Sequence, residues 1–188
     1  MTDQYCAVVE NTLDRLRDDY DEVPIRRTEW CVDRETYEQT RERAAAGTVG
    51  GAGVWVRRVV DGVTEALVVR ERDADGWSEP AGKQEPGERL EATARRETRE
   101  ETGVDPELTG VRLATRARHV HGDRPPIDRL VVVFDAVPAG DDTAFDPADA
   151  TALDPAETEI DDARWVREHP SPLRYDAVAS FPIEPPER

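Results

Sequence analysis

The chain has 188 residues, of which 42 are Asp or Glu and 25 are Lys or Arg, so its formal net charge is −17. This length predicts one domain with an appendage, and no apolar run approaches the ~18 residues that a membrane-spanning helix needs. The charge excludes a protein that coats nucleic acid. An N-terminus without an apolar stretch and only two cysteines predict a cytoplasmic protein without a disulfide framework.

The first 48 residues predict an α-rich extension without a chemical motif. Apolar residues at helical spacing indicate an amphipathic helix over the first ~20 residues. A short strand is predicted over 26–32. Asp33 is a typical N-cap for a helix over 34–46, which Gly47 ends.

Residues 49–170 show a different pattern, which predicts a second unit built on strands. The strands are predicted, in chain order, at 53–60, 64–70, 111–120, 129–137 and 159–167. A single strong helix is predicted over 88–102, after a loop over 71–87, with Gly103 at its C-terminal end. An acidic loop is predicted over 141–156, and the Pro-containing tail 171–188 is expected to be partly irregular.

The acidic residues are dispersed along the chain and do not form a terminal block. Strand-like apolar segments argue against disorder, which is the competing explanation for high charge and low hydropathy. We interpret the composition as that of a folded, halophilic protein from a salt-rich cytoplasm, where salt screens its self-repulsion.

Three glutamates of the predicted helix share one face. Glu97, Glu100 and Glu101 stand at i, i+3 and i+4, with neighbouring side chains ~5–6 Å apart. Their mutual repulsion and their place in the last turns destabilise a bare helix. Hard divalent cations such as Mg²⁺ or Mn²⁺ prefer oxygen ligands and would remove both penalties. In so acidic a chain, however, the three glutamates alone also fit a solvated helix face.

The residues around these glutamates favour a binding site. Leu90, Ala94 and Thr98 form a narrow stripe of mostly small residues that lets the helix lie close to a sheet. Gly82 and Gly87 frame the loop that leads into the helix, where backbone groups can approach a ligand.

Together these residues resemble the signature of the Nudix hydrolases. That signature is a glycine, five residues, a glutamate, seven residues, and then Arg-Glu-x-x-Glu-Glu-x-Gly followed by an aliphatic residue. The chain matches it at Gly82, Glu88, Arg96, Glu97, Glu100, Glu101, Gly103 and Val104. Thr98 replaces the usual aliphatic residue with one of similar shape. The resemblance extends over about residues 50–167 and leaves out residues 1–48.

The resemblance implies an α/β fold, a Nudix-type α/β/α sandwich around a mixed sheet, here with an α-rich N-terminal extension. It implies hydrolysis of a nucleoside diphosphate linked to another moiety, or of a nucleoside triphosphate, with one to three Mg²⁺ or Mn²⁺ ions. The partner is then a small nucleotide, with no nucleic acid or membrane. Two alternative roles are open for the extension: it caps the pocket, or it forms a homodimer interface.

The same resemblance assigns roles within the signature. Glu97 and Glu101 are the firmest metal ligands, and Glu100 is either a ligand or the general base. Arg96 holds a glutamate in place and belongs to the catalytic set with Glu97 and Glu100. Glu88 supports Arg96 and the metals from behind, and the carbonyl at Ala81 or Gly82 adds a ligand. A general base from a loop outside the signature stays the alternative to Glu100.

Other candidates lie outside the signature. A further metal ligand is expected in the loop before the last strand, where Glu159 ranks first and Glu157 second, because relatives place such a glutamate six residues before an equivalent of Trp165. Trp77 is a candidate for stacking on a base. Arg116, Arg118 and Arg129 are candidates for a phosphate pocket; ordinary surface or core roles remain open for all of these side chains.

Two other functions on the same fold stay open. One is a catalytically silent nucleotide-binding regulator, although such a protein does not need three repelling glutamates. The other is a prenyl diphosphate isomerase, whose members use a cysteine near the site, whereas Cys6 and Cys31 are remote from the signature in sequence.

Overall fold

The computed structural model describes residues 2–140 and 159–184, with side chains from Cys6 onward. The helices of this part are α1 (Thr2–Asp19), α2 (Arg34–Ala45) and α3 (Leu90–Thr102). Its strands are β1 (Ile25–Cys31), β2 (Gly50–Val60), β3 (Val63–Glu71), β4 (Ala81–Lys83), β5 (Pro106–Val120), β6 (Ile127–Pro138) and β7 (Ile160–Val166). A 3₁₀ turn at Val178–Ser180 follows in the tail.

The strands form one mixed sheet in the order β1-β5-β6-β2-β3-β7, and β4 pairs with the first half of β2. β1 runs parallel to β5 and β2 runs parallel to β6, whereas β5 with β6, β2 with β3 and β3 with β7 are antiparallel. The predicted α/β class with a mixed sheet is therefore confirmed.

Alternate residues of β2 pack into different cores, as the two-residue period of a strand requires. Val54 and Val56 join a cluster with apolar residues of α1 and α3, so both helices cover one face of the sheet. Trp55 joins a second cluster with Val178 and Phe181, so the C-terminal segment covers the opposite face. The sheet is thus covered on both sides.

The N-terminal residues share the main core. α1 buries Val9, Leu13 and Leu16 of the predicted apolar stripe against the sheet, whereas Val8, the fourth residue of that stripe, is 36% exposed. β1 extends the sheet beyond β5 as its edge strand. The side chain of Asp33 caps α2 by accepting a hydrogen bond from the Thr36 amide at 2.7 Å.

Two elements differ from the predicted ones. The loop predicted over 71–87 contains the short strand β4, whose three residues are too few to give a periodic pattern. β5 begins at Pro106, five residues before the predicted start, because this proline pairs with Pro138 at the end of the sheet. The predicted acidic loop over 141–156 lies outside the described residues. Among the described helices, none is long and apolar enough to cross a membrane.

Candidate active site

α3 presents a buried face and a charged face. Leu90, Ala94 and Thr98 are at most 1% exposed, which places the predicted stripe against the sheet. The helix ends at Gly103, which has a left-handed φ of 72° and donates its amide to the carbonyl of Arg99 at 2.8 Å. The signature glutamates are thereby held beside the strand that carries Gly82.

Arg96 is the centre of a hydrogen-bond network on the charged face. Its guanidinium binds both carboxylate oxygens of Glu88, with Nε donating to Oε1 at 3.0 Å and Nη2 donating to Oε2 at 3.1 Å. Nη1 donates to Glu97 at 2.9 Å and to Glu100 at 3.1 Å. Nη2 also donates to the carbonyl of Lys83 at 3.2 Å. One arginine therefore ties three carboxylates of the signature to the strand before it.

Glu88 is the best-satisfied carboxylate of this network. It accepts further hydrogen bonds from the Thr93 hydroxyl at 2.8 Å and the Glu85 amide at 3.0 Å. The bonds from Arg96, followed by those from Glu85 and Thr93, lower the pKa of Glu88 to about 2. Glu88 stays ionised at neutral pH and fixes the orientation of Arg96, which is the supporting position expected for it.

Glu97 lies directly over Gly82. A Cβ built on Gly82 would overlap the carboxylate carbon and both oxygens of Glu97, well inside the 3.0 Å limit of real Cβ contacts. Burial raises the pKa of Glu97, and the charge and hydrogen bond of Arg96 oppose that rise. The missing side chain at Gly82 is therefore what gives this carboxylate its place.

Glu101 lies close to other acidic side chains of the site. One of its oxygens accepts the Ala81 amide at 3.0 Å. Burial raises the pKa of Glu101 to about 9, and the charges of Glu97, Glu71 and Glu159 add to the rise. The environment of Glu101 therefore disfavours its ionised form in the protein alone.

The carboxylates are near one another but do not converge on a single point. Within residues 2–140 and 159–184, no three Asp, Glu, His or Cys side chains are arranged as a ready metal site. The hydrogen bonds explain this: Glu97 and Glu100 are turned toward Arg96, and Glu101 is turned toward the Ala81 amide. The donor set nevertheless fits Mg²⁺ or Mn²⁺, because carboxylate oxygens are their preferred ligands and a cation would relieve the repulsion at Glu101.

The expected ligand before the last strand falls at the edge of the described region. Glu159 is exposed, and its backbone carbonyl accepts the Arg72 amide at 2.8 Å. Its charge acts on Glu101, which places it on the same side of the molecule as the signature glutamates. Glu157 lies outside the described residues.

Two further acids of this region were missed at the sequence level. Glu71, at the end of β3, acts electrostatically on Glu101 and forms an ion pair with Arg174. Glu79 is 7% exposed, and its Oε2 is buried without a hydrogen-bond partner among the described residues. Burial raises the pKa of Glu79 to about 7. Neither lies in a motif, and Glu71 is surrounded in sequence by ordinary charged residues, so no local signal distinguishes it.

The structure does not bring Trp77, Arg116 or Arg118 to the signature helix. Trp77 is 3% exposed, and the guanidinium of Arg164 lies 3.7 Å from its ring centroid, so this ring has no open face for a base. Arg116 pairs with Glu10 and Asp128 under α1. Arg118 is exposed near the edge strand β1, where it lines a shallow cavity of about 360 Å³ with Arg116 and Asp128.

Several solved structures are similar to the chain at low sequence identity. A NUDIX hydrolase of Listeria monocytogenes is 18% identical, with 69% of this chain and 86% of that chain covered and a TM-score of 0.49. The Ap4A hydrolase of C. elegans is 19% identical, with 64% and 80% covered and a TM-score of 0.37. The Bacillus subtilis pyrophosphohydrolase BsRppH is 21% identical, with 65% of each chain covered and a TM-score of 0.40.

No curated protein sequence matches the chain significantly. A family model does: the NUDIX domain matches residues 48–179, which is more than half of the chain and includes the whole α3 signature with its Gly82 strand. The chain therefore belongs to the NUDIX domain family.

Proposed function

We propose that this enzyme hydrolyses a diphosphate bond in a nucleoside diphosphate linked to another moiety, or in a nucleoside triphosphate, and that it requires Mg²⁺ or Mn²⁺. The observation that carries the proposal is the placement of the signature carboxyl groups beside the Gly82 strand, where Glu97 lies over Gly82 and Glu101 accepts the Ala81 amide at 3.0 Å. Burial raises the pKa of Glu101, and the charges of Glu97, Glu71 and Glu159 add to the rise, so the protein alone disfavours an ionised carboxylate here. A divalent cation that brings the diphosphate with it supplies the missing positive charge.

Glu97 and Glu101 are the residues that would hold the metal, with Glu159 and the carbonyl of Gly82 as further ligands, and Glu100 would serve either as a ligand or as the general base. A bound Mg²⁺ or Mn²⁺ supplies neutralisation of the diphosphate charge and a more acidic water. The Glu88–Arg96 pair holds α3 beside the Gly82 strand, because Arg96 binds both Glu88 and the Lys83 carbonyl.

Glu100 is the residue of the set that reaches solvent. Its side chain is 60% exposed, whereas that of Glu97 is 15% exposed. Because Arg96 holds one oxygen of Glu100 at 3.1 Å, the other oxygen is available to accept a proton from an attacking water. We therefore assign the general base to Glu100, with its Oε1 as the proton acceptor.

The net charge of −17 supports the proposal that the protein acts in a salt-rich cytoplasm. We divide the chain into an extension (1–48), the Nudix domain (49–170) and a tail (171–188), and the exposed edge of β1 keeps a homodimer open.

The test is a phosphate-release screen over nucleotide sugars, dinucleotides and nucleoside triphosphates in molar KCl, first with Mg²⁺ and then with Mn²⁺. Glu101→Gln keeps the volume and removes an anionic oxygen, so we expect at least a ~10²-fold loss in kcat with the fold intact. Its melting temperature without metal should hold or rise, because a like-charge contact is relieved. The matched control is Glu107→Gln, an exposed glutamate on β5. Wild-type turnover by Glu101→Gln at saturating Mg²⁺ would overturn the metal assignment.

A further inference from the structure

A pair of arginines lies beside the Gly82 strand on the other face of the sheet from α1 and α3. Arg129 is on β6, where it pairs in register with Ala117 of β5, and Arg43 is in the last turn of α2. Both side chains are half-buried, and the charge of Arg43 acts on Arg129. Desolvation and this repulsion both lower the pKa of Arg129, which shows that the environment disfavours its charge.

The contacts of α2 fix where the pair sits. Tyr37, Thr40 and Arg43 stand three residues apart on one face of this helix. The Tyr37 hydroxyl donates to the Pro125 carbonyl at 2.7 Å, and the Thr40 hydroxyl lies 3.2 Å from Nδ1 of His119. This face of α2 therefore lies over the end of the β5–β6 hairpin, and Arg43 follows one turn beyond Thr40.

Arg43 is attached to the segment that leads into the signature. Its Nη2 donates to the carbonyl of Gln84 at 2.6 Å. The preceding carbonyl, that of Lys83, accepts from Arg96 at 3.2 Å. Two guanidinium groups therefore bind successive carbonyls of one segment, which connects the Arg43–Arg129 pair to the signature through the backbone of Lys83 and Gln84.

The pair has no anionic partner in the described part of the chain. The Arg43 and Arg129 guanidiniums form no ion pair with residues 2–140 or 159–184, and Nε of Arg43 is buried without a hydrogen bond. This is unusual in a chain with 42 acidic residues, where even Arg116 has two carboxylate partners. Half-buried cations that repel each other without a counter-charge are costly, and an anionic ligand would supply that charge.

His119 adds an independent polar group to the same place. It is 4% exposed, and its Nε2 is buried without a partner among the described residues. Burial and the charge of Arg129 lower the pKa of His119 to about 4, so the ring is neutral near pH 7. The neutral imidazole beside Arg129 leaves the two guanidiniums as the charged groups of this cluster.

We infer that Arg43 and Arg129 form a subsite for a phosphoryl group of the substrate, next to the Gly82 strand and separate from the signature glutamates. A phosphoryl group offers oxygens to both guanidiniums at once, and such charge-assisted hydrogen bonds are strong in a partly desolvated place. The identity of the ligand as part of the substrate rests on the proposed function, whereas the anion site itself does not.

The direct test measures binding of inorganic pyrophosphate by calorimetry in EDTA, at constant ionic strength, so that neither metal nor hydrolysis contributes. We expect Arg129→Gln and Arg43→Gln each to weaken the affinity ~10–100-fold, the effect of losing a hydrogen-bonded charge. The matched control is Arg41→Gln on the same helix, whose side chain is 57% exposed and pairs with Glu38. It should change the affinity less than about twofold, as expected for an exposed ion pair.

Kinetics separate this site from the metal site. With a nucleoside triphosphate as substrate, Arg129→Gln should raise KM ~10–100-fold and leave kcat nearly unchanged, because a binding contact is lost equally from ground and transition states. Its melting temperature without pyrophosphate should equal or exceed that of the wild type, since a repulsion is removed. If Arg129 had only a structural role, the substitution would instead lower the melting temperature.

The binding test of the subsite and the hydrolysis test of the proposed function can fail independently. If the wild type hydrolyses none of the nucleotides but pyrophosphate binding falls in the Arg129→Gln variant, the proposed function fails and the anion subsite stands. If Arg129→Gln keeps wild-type affinity, or if the wild type does not bind pyrophosphate, the subsite is refuted even when hydrolysis is found. Should Arg129→Gln fail to fold, Arg43→Gln decides by the same criterion.

Discussion

Gly82→Ala is the sharpest test of how the carboxylates of α3 are placed. The added Cβ would overlap the Glu97 carboxylate, which would have to retreat by more than about 1 Å to reach ordinary contact at 3.4–4 Å. Glu97 yields because it is the far end of a flexible side chain, whereas the β4 backbone is held by its pairing with β2. The substitution therefore displaces one carboxylate and leaves the sheet in place.

The magnitude follows from the displacement. Misplacing a catalytic group by ~1 Å can cost ~10²-fold in rate, so we expect kcat to fall about 100-fold, or roughly 2.7 kcal/mol of activation free energy. Stability should change little, because the weakened Arg96–Glu97 bond is offset by the lower chain entropy that alanine gives the unfolded state. A net change of ~1 kcal/mol would shift the melting temperature of a chain this size by about 2–4 °C.

The assay compares kcat and its Mg²⁺ dependence for the wild type, Gly82→Ala and the control Gly110→Ala. A Cβ on Gly110 meets nothing within 4 Å, so this control repeats the chemical change without the overlap and should keep wild-type activity. A Gly82→Ala enzyme with the wild-type rate and metal dependence would refute the view that Glu97 must lie over Gly82.

Glu88→Gln should lower the melting temperature at neutral pH by roughly 4–8 °C, since it weakens two charge-assisted bonds worth about 2 kcal/mol. The pKa of Glu88 is lowered in the folded protein from 4.5 to about 2, so this stabilisation is full above pH 4.5 and is lost as the pH falls toward 2. Calorimetric melts should therefore show that the difference in melting temperature between the wild type and Glu88→Gln becomes smaller at acidic pH. Glu159→Gln should lower kcat ~10–100-fold or weaken the Mg²⁺ requirement, and Glu157→Gln should do much less in the same assay; wild-type rates in both would mean that this loop supplies no ligand. The melting temperature should climb markedly from ~0.1 M to ~2 M KCl, because salt screens the self-repulsion of a chain with net charge −17, and a flat profile would contradict the salt-rich setting.

The fold was predictable wherever a local pattern determines the structure. The stripe Leu90, Ala94 and Thr98 predicts the buried face of α3, and Gly103 predicts its end. The spacing of apolar residues in α1 likewise predicts a helix. It does not predict that α1 shares the main core, since one apolar stripe fits a separate appendage equally well. β4 escaped prediction because three residues carry no period.

The sequence predicts that the signature carboxylates share one side of α3, but it does not predict how each carboxylate is oriented. The signature spacing places Glu97, Glu100 and Glu101 on one side of α3, and the structure has them there. The spacing does not determine which way each carboxylate turns, because Arg96 and the Ala81 amide compete for the same oxygens that a metal would bind. Trp77 was a candidate for base stacking since it precedes the signature, yet Arg164 already covers its ring.

The charge balance connects the signature glutamates with the Arg43–Arg129 pair. Around α3 the carboxylates outnumber their single central arginine, so that region lacks positive charge. At Arg43 and Arg129 two guanidiniums lack negative charge. A metal-bound nucleotide would correct both, since the cation would bind the glutamates and a phosphoryl group would bind the arginines. The Gly82–Gln84 segment connects the two regions, because Arg96 binds the Lys83 carbonyl and Arg43 binds the Gln84 carbonyl. Substrate and metal should therefore bind with positive coupling, so that saturating Mg²⁺ tightens nucleotide binding more in the wild type than in Arg129→Gln.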